Sequence, residues 1–416
     1  MKIKIHRGTH QIGGCVTEYE HDGWHLFVDF GEELPGGHQT GLLQIDGLTH
    51  GDISKSALLI THYHGDHIGC ITKLPKNLPV YMGKVGRDIQ EKLSNHLKFV
   101  SKVHQEMTER LQTVRTFTPG YPIKDFGNFI ITPIIVDHSA FDAYAFKIKI
   151  DGTSVFHTGD FRTHGFRSGV LPDVIKKFIG KVDYVVCEAT NISRPTATSL
   201  SEHDLQKEFI ELFKNEKNKN HVVYVSSTNI DRLFGLYHAA IKANRVFIID
   251  EYQKEVMDVV TERDSIWGKS KLYQFLKNHP PMVLSISKGE FWMNDKFRKL
   301  IEDKGFVLIA RSQPRFDKFI ANIHGEKQTY LSMWDGYVKE GSETYNECLA
   351  KSLGPNYLHK HTSGHCDMDS LRDFFRLLNP KAIIPIHTDK PEEFAQLFSD
   401  EWSVLLLNDG DGISVS

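Results

Sequence analysis

Along the first 190 residues, apolar positions fall in short alternating or continuous runs separated by turn residues, the pattern of β-strands. Thr17-Glu18-Tyr19-Glu20 and the run from Trp24 to Phe30 flank His21-Asp22-Gly23, whose Asp-Gly pair signals a hairpin. Further strands are predicted at 57–60, 129–136, 145–150, 154–157 and 184–188. Residues 85–114 carry helical spacing without proline and predict a pair of helices. After Glu188 the rhythm changes. Ser201 to Asn220 reads as an amphipathic helix capped by Ser201. Apolar runs at 221–225, 245–249, 282–286 and 306–310 then alternate with helical segments, which predicts a parallel α/β unit. Near Tyr357 the strand-and-histidine texture of the first part returns. The expected organisation is one domain in two pieces, 1–194 and 346–416, interrupted by an α/β insert over 195–345.

A chain of 416 residues is long enough for two domains, and 40% hydrophobic with 25% charged residues is ordinary for a globular protein. The net charge of -3 is not the overall signature of a nucleic-acid binder. Basic residues are nonetheless uneven: residues 81–124 hold eight Lys or Arg against four acidic residues, and 288–318 hold eight against five. A bound metal cluster would add positive charge of its own, so an anionic substrate does not require a basic chain. No apolar run approaches a membrane span, and the first residues do not read as a signal peptide. Five scattered cysteines (Cys15, Cys70, Cys187, Cys348, Cys366) form no paired motif, which makes a reducing, cytoplasmic location the expectation.

The chemistry concentrates in His62-Tyr63-His64-Gly65-Asp66-His67, which follows the apolar run 57–60 and precedes a helix start. A strand-to-helix turn can aim these imidazoles and the carboxylate into one cavity, and they are the ligands that zinc and related divalent ions prefer. A bound ion of that kind can turn water into a nucleophile near neutral pH. Other strand ends carry similar groups: His138 after 129–136, Asp160 after 154–157, Glu188 at the end of 184–188, and His387 after Ala382-Ile383-Ile384. One such histidine is more often structural; four strand ends carrying ligand types together favour an assembled site.

The six-residue motif resembles the signature of the metallo-β-lactamase superfamily, which implies an αββα sandwich with the site at one edge. The resemblance implies His62, His64 and His138 on one metal, Asp66, His67 and His387 on a second, and Asp160 between them. Asp29 resembles the buried acid that orients a ligand histidine, although capping the turn before Gly31 would suit it equally. Glu188, His365 within His361-Thr362-Ser363-Gly364-His365, and His387, 22 residues beyond His365, surround the insert as in the β-CASP nuclease branch. Gln11-Ile12-Gly13-Gly14 and Ser227-Thr228-Asn229-Ile230-Asp231-Arg232 make the likeness greatest to the ribonuclease J group.

That likeness implies two divalent ions, zinc first and manganese second, and hydrolysis of single-stranded RNA to 5′-phosphate and 3′-hydroxyl ends. In it, His365 would serve as hydrogen-bond or proton donor and Glu188 as the carboxylate that orients it, with Asp66 an alternative general base. Thr362, Ser363 and Gly364 would cradle a phosphate or simply make the turn before a helix near Asp367. Thr388-Asp389 stands where the group has Gly-Glu. With the sequence read as ending at Ser416, the group's carboxy-terminal domain, which aids dimer formation, is expected to be absent, so a homodimer is left open. The rival readings are a nuclease of single-stranded DNA, a silent RNA-binding scaffold, and a small-molecule hydrolase; the insert argues against the last. No membrane association is expected.

Overall fold

The computed structural model describes residues 1–193, 200–215, 220–261, 276–287 and 290–416. The chain divides into a unit of Met1–Ser199 with Gly364–Ser416 and a unit of Leu200–Ser363.

The first unit is built on two sheets. One runs, in spatial order, Gly412–Ser414, Lys2–Arg7, Val16–His21, Trp24–Val28, Ser56–Leu59, Val80–Gly83 and Arg115–Phe117. The other runs Ser403–Val404, Ala382–Ile386, Tyr184–Glu188, Thr153–His157, Ala143–Ile150 and Ile130–Val136. Inward-facing Ile3, Ile5, Leu26 and Val28 of one sheet meet Phe146, Ile148, Val155 and Ile384 of the other in a common core. The opposite face of the second sheet (Val136, Ala145, Phe156, Val185, Ile383) packs on Leu371, Phe374, Phe375 and Leu378 of helix Met368–Leu378 and on Phe394 and Phe398 of helix Pro391–Phe398. Burial on both faces explains the continuous apolar runs Tyr184–Glu188 and Ala382–Ile386, which pair in parallel. On the first sheet, helices Lys84–Leu97 and Lys102–Leu111 follow Val80–Gly83 and pack together. This is the αββα sandwich. The hairpin at Asp22-Gly23 forms with φ of 49° and 73°, and pairs His21 with Trp24.

The second unit carries a sheet in the order Glu290–Trp292, Met282–Ser287, Val246–Asp250, Phe306–Ala310, Asn220–Tyr224, Lys327–Leu331 and Tyr357–His359. All its described pairings are parallel except that of Glu290–Trp292. The expected insert start at 195 lies outside the described residues. Its expected end at 345 is corrected to 363: Tyr357–His359 adds to the sheet beside Lys327–Leu331, and Leu349 and Leu353 of helix Glu347–Leu353 enter this unit's core. The helix expected over 201–220 ends at Phe213, and Asn220 already begins a strand. Ser201 caps that helix, its hydroxyl accepting from Asp204 N at 3.0 Å.

Candidate metal centre

The ends of the first unit's strands bring the predicted residues together. His62 lies three residues beyond Ser56–Leu59, His138 two beyond Ile130–Val136, and Asp160 three beyond Thr153–His157. Glu188 is the last residue of its strand, and His387 immediately follows Ala382–Ile386. The four-residue helix Gly65–Ile68 carries Asp66 and His67. Packing there is tight: a Cβ on Gly31 would lie 1.7 Å from the Asp66 carbonyl oxygen.

Asp160 Oδ2 is the hub. It lies 3.1 Å from His67 Nε2, 3.6 Å from His387 Nε2, 3.8 Å from His365 Nδ1 and 3.9 Å from both His62 Nε2 and His138 Nε2. His64 Nδ1 faces His138 Nε2 at 3.2 Å, and Asp66 Oδ2 faces His387 Nε2 at 3.2 Å. Ligand atoms of His62, His64 and His138 lie within 4.8 Å of one another, as do those of Asp66, His67 and His387.

The far side of each ring fixes its tautomer. His138 Nδ1 donates to the Gly364 carbonyl at 2.6 Å, and His67 Nδ1 donates to Asp29 Oδ2 at 2.8 Å. The Thr61 hydroxyl donates to Asp29 Oδ2 at 2.8 Å and so accepts from His62 Nδ1 at 3.0 Å. The Thr190 hydroxyl accepts from His387 Nδ1 at 2.7 Å while donating to the His387 carbonyl. His62, His138 and His387 therefore turn an Nε2 lone pair inward when neutral, and His67 would offer one once a cation displaces the proton it shares with Asp160. His62 Nε2 is buried and has no hydrogen-bond partner among the described residues, an arrangement that costs about 1–3 kcal/mol unless something occupies it.

Electrostatics agree with a cation site. Burial pushes His62 and His138 well down and His64 down to about 4, leaving them neutral and able to donate lone pairs. Burial opposes charge on His67 too, but Asp160, Asp66 and Asp29 outweigh it and hold its proton well above the usual range. Asp66 and Asp160 stay ionised despite burial, held down by the surrounding imidazoles, His67 foremost for Asp66 and His387 for Asp160. The donor set, five imidazole nitrogens and two carboxylates around a pocket of negative charge, fits two divalent ions.

His365 faces the same hub and forms a further candidate ligand group with His138 and Asp160, and its Nδ1 lies 3.4 Å from Glu188 Oε2. Burial disfavours its charge, yet Glu188 and Asp160 lift it to about 9, so it carries a proton at neutral pH. Glu188 is held by the backbone N–H groups of Thr190 (3.0 Å) and Cys366 (3.2 Å). Asn191 Nδ2 donates to the His365 carbonyl at 3.0 Å.

At Asp29 φ is 61°, and its carboxylate accepts from Thr61 N and Oγ1 and from His67 Nδ1, none of them in the turn before Gly31. The turn residues divide. The buried Thr362 hydroxyl already donates to the Leu200 carbonyl, and Gly364 offers its carbonyl to His138. Asp367 caps helix Met368–Leu378 by accepting from Ser370 N at 2.9 Å. Sequence reading missed Thr61, Thr190, Asn191 and Arg7; the last, buried, braces the loops by donating to the Gly14 (2.6 Å) and Gly31 (2.7 Å) carbonyls.

The family described as Beta-lactamase superfamily domain matches residues 51–215, and that described as Zn-dependent metallo-hydrolase RNA specificity domain matches 359–406. Ribonuclease J of Helicobacter pylori (strain B128) is 24% identical over the whole chain, which spans 60% of that relative's length. Ribonuclease J of Mycobacterium tuberculosis (strain H37Rv) is 27% identical over 93% of the chain and 68% of its own. A crystal structure titled as a protein of unknown function from Enterococcus faecalis V583 shares the fold, with a TM-score of 0.74, 20% identity, and 99% of each chain covered. The chain is thus similar to the beta-lactamase superfamily over residues 51–215, to an RNA-specificity family of zinc-dependent metallo-hydrolases over 359–406, and to ribonuclease J.

Proposed function

We propose that this protein is a metal-dependent ribonuclease that hydrolyses RNA phosphodiester bonds, leaving 5′-phosphate and 3′-hydroxyl ends. The observation that carries the reading is Asp160 Oδ2 at the centre of five imidazoles, 3.1–3.9 Å from each. His62, His64, His138 and Asp160 would hold one divalent ion, and Asp66, His67, His387 and Asp160 the other, zinc being favoured by the imidazole-rich set and manganese being second. Such ions supply charge neutralisation at phosphate and lower the pKa of water.

The chain's own residues would do the rest. His365 holds a proton, with Glu188 and Asp160 stabilising the charge, and gives it to the phosphate or leaving oxygen. Glu188, fixed by two backbone donors, orients that ring and keeps it charged. Asp66, ionised at the metal edge, is the alternative proton acceptor. The match to an RNA-specificity family over residues 359–406, which include His365 and His387, and the similarity to ribonucleases J support RNA as substrate. Single-stranded DNA is the rival substrate, and RNA binding without cleavage the rival role. The intact ligand set favours an enzyme over a silent scaffold.

Matched 5′-monophosphorylated RNA and DNA oligonucleotides, incubated with zinc- or manganese-loaded protein and with Asp66→Ala and His365→Ala variants, test the reading. RNA cleavage lost in both variants is expected, and a mononucleotide ladder would assign 5′-to-3′ exonuclease rather than endonuclease action. Cleavage of DNA alone, or RNA cleavage surviving both substitutions, would overturn it.

A further inference from the structure

The basic excess over residues 288–318 plays no part in the metal centre, which lies wholly in the first unit. In the second unit, Arg298, Arg315 and Lys318 from that stretch line one cavity of about 100 Å³, with Glu290, Phe291 and Asn322. Helix Pro314–Asn322 presents Arg315, Lys318, Phe319 and Asn322 at spacings of three and four, which puts them on one stripe. Arg298 comes from helix Asp295–Lys304 and Phe291 from the edge strand Glu290–Trp292.

The charges in this cavity do not balance. Lys318 is paired with Glu290. Arg315 lies over the Phe291 ring, 5.4 Å from its centroid, and its Nε is buried with no hydrogen-bond partner. Arg298 makes no side-chain ion pair or hydrogen bond among the described residues. Two guanidiniums and Lys318 thus share one cavity with a single carboxylate, Glu290, which Lys318 engages, leaving both guanidiniums without an ionic partner among the described residues. Like charges so placed repel, and an unsatisfied buried N–H is costly; a tetrahedral oxyanion removes both penalties, because guanidinium forks match phosphate oxygens. A volume of about 100 Å³ is room enough for a phosphate group.

We infer that this cavity of the second unit is a phosphate-binding site, separate from the metal centre, holding one phosphate group of a nucleotide or of a nucleic-acid strand. The inference stands whether or not the metal centre cleaves RNA.

Hydrogen exchange of the full chain, read peptide by peptide with inorganic phosphate against sodium chloride of equal ionic strength, tests it. Phosphate should slow exchange in peptides covering 290–323 with a millimolar midpoint. Arg298→Gln/Arg315→Gln should weaken that effect at least about tenfold without altering exchange elsewhere. If the double variant melts early, Arg298→Gln alone, an exposed position, should still weaken it several-fold. A 5′-mononucleotide and a chelator-protected oligonucleotide lacking terminal phosphate form the other arms. Protection by the first alone assigns a terminal phosphate, and by the second a phosphodiester. No protection of 290–323 by phosphate, or protection unchanged in Arg298→Gln/Arg315→Gln, overturns the site.

Discussion

Replacing Asp29 by Asn should weaken one metal and spare the other. Asp29 is 1% exposed and accepts three hydrogen bonds of 2.8 Å, from Thr61 N, Thr61 Oγ1 and His67 Nδ1. Asn keeps the size and tolerates the φ of 61°, so the backbone has no reason to move. Its oxygen can still accept from Thr61 N. Its NH2 group, however, now points at His67 Nδ1 and the Thr61 hydroxyl, and the favoured response is for His67 to give up its Nδ1 proton and keep the one on Nε2. That proton would then face Asp160 Oδ2, 3.1 Å away, where the proposed second ion needs a lone pair. Loss of one charge-assisted hydrogen bond should cost the metal-free protein about 1.5–3 kcal/mol. Loss of the orienting carboxylate should weaken the second ion about 10–100-fold, or about 1.4–2.7 kcal/mol. Titration against a competing metal chelator, with bound metal counted after dialysis, separates the two ions. One equivalent should stay at wild-type affinity and the other should fall. Two equivalents at unchanged affinity would refute the proposed role of Asp29, and equal loss of both would refute the division of ligands.

Other substitutions probe the remaining parts. His365→Ala should lower RNA cleavage about 10²–10⁴-fold while bound metal stays constant, since the proposed roles make His365 a proton donor, although its ring nitrogen also lies near the ligand atoms of His138 and Asp160; loss of metal in this variant would make it a ligand instead. Gly31→Ala should prevent stable folding, because its Cβ would meet the Asp66 backbone at 1.7 Å, whereas Gly169→Ala, with open space around it, should shift thermal unfolding by no more than about 1 kcal/mol. Buried Asp142, raised by burial to about 6 although Tyr144 and Gly86 hydrogen-bond it, favours its protonated form in the fold. Its contribution is thus full below the unfolded pKa of about 3.9 and is lost as pH rises through 6, a swing of about 3 kcal/mol that Asp142→Asn should remove from chemical-denaturation curves between pH 4 and 7. An unchanged pH slope in that variant would show that Asp142 does not cause it.

The sandwich and the strand-borne ligands were legible because each depends on local information: a continuous apolar run marks a strand buried on both faces, and the residue just past it must point from the strand's end. Glu188 and His387 read that way directly. Thr190 did not. Its hydroxyl meets His387 Nδ1 across a sequence separation of 197 residues, and nothing in a lone threonine announces such a partner. Thr61 and the Gly364 carbonyl escaped notice for the same reason. The boundary expected at 345 failed because Tyr357–His359 is short and partly exposed, with no apolar run to mark it as part of the insert's sheet. The helix from Ser201 was drawn too long because the sequence after Phe213 is polar and free of breakers, so no local signal ends it.

The central claim is that two ions held around Asp160 drive cleavage of RNA. Its most direct test is the rate of hydrolysis of a 5′-monophosphorylated RNA, measured while chelator-stripped protein is reloaded with zinc or manganese from zero to two equivalents. The account predicts no turnover without metal, little at one equivalent, and full turnover only as the second binds, with Asp160→Ala inactive throughout. Full turnover in metal-stripped protein, or in Asp160→Ala, would contradict it.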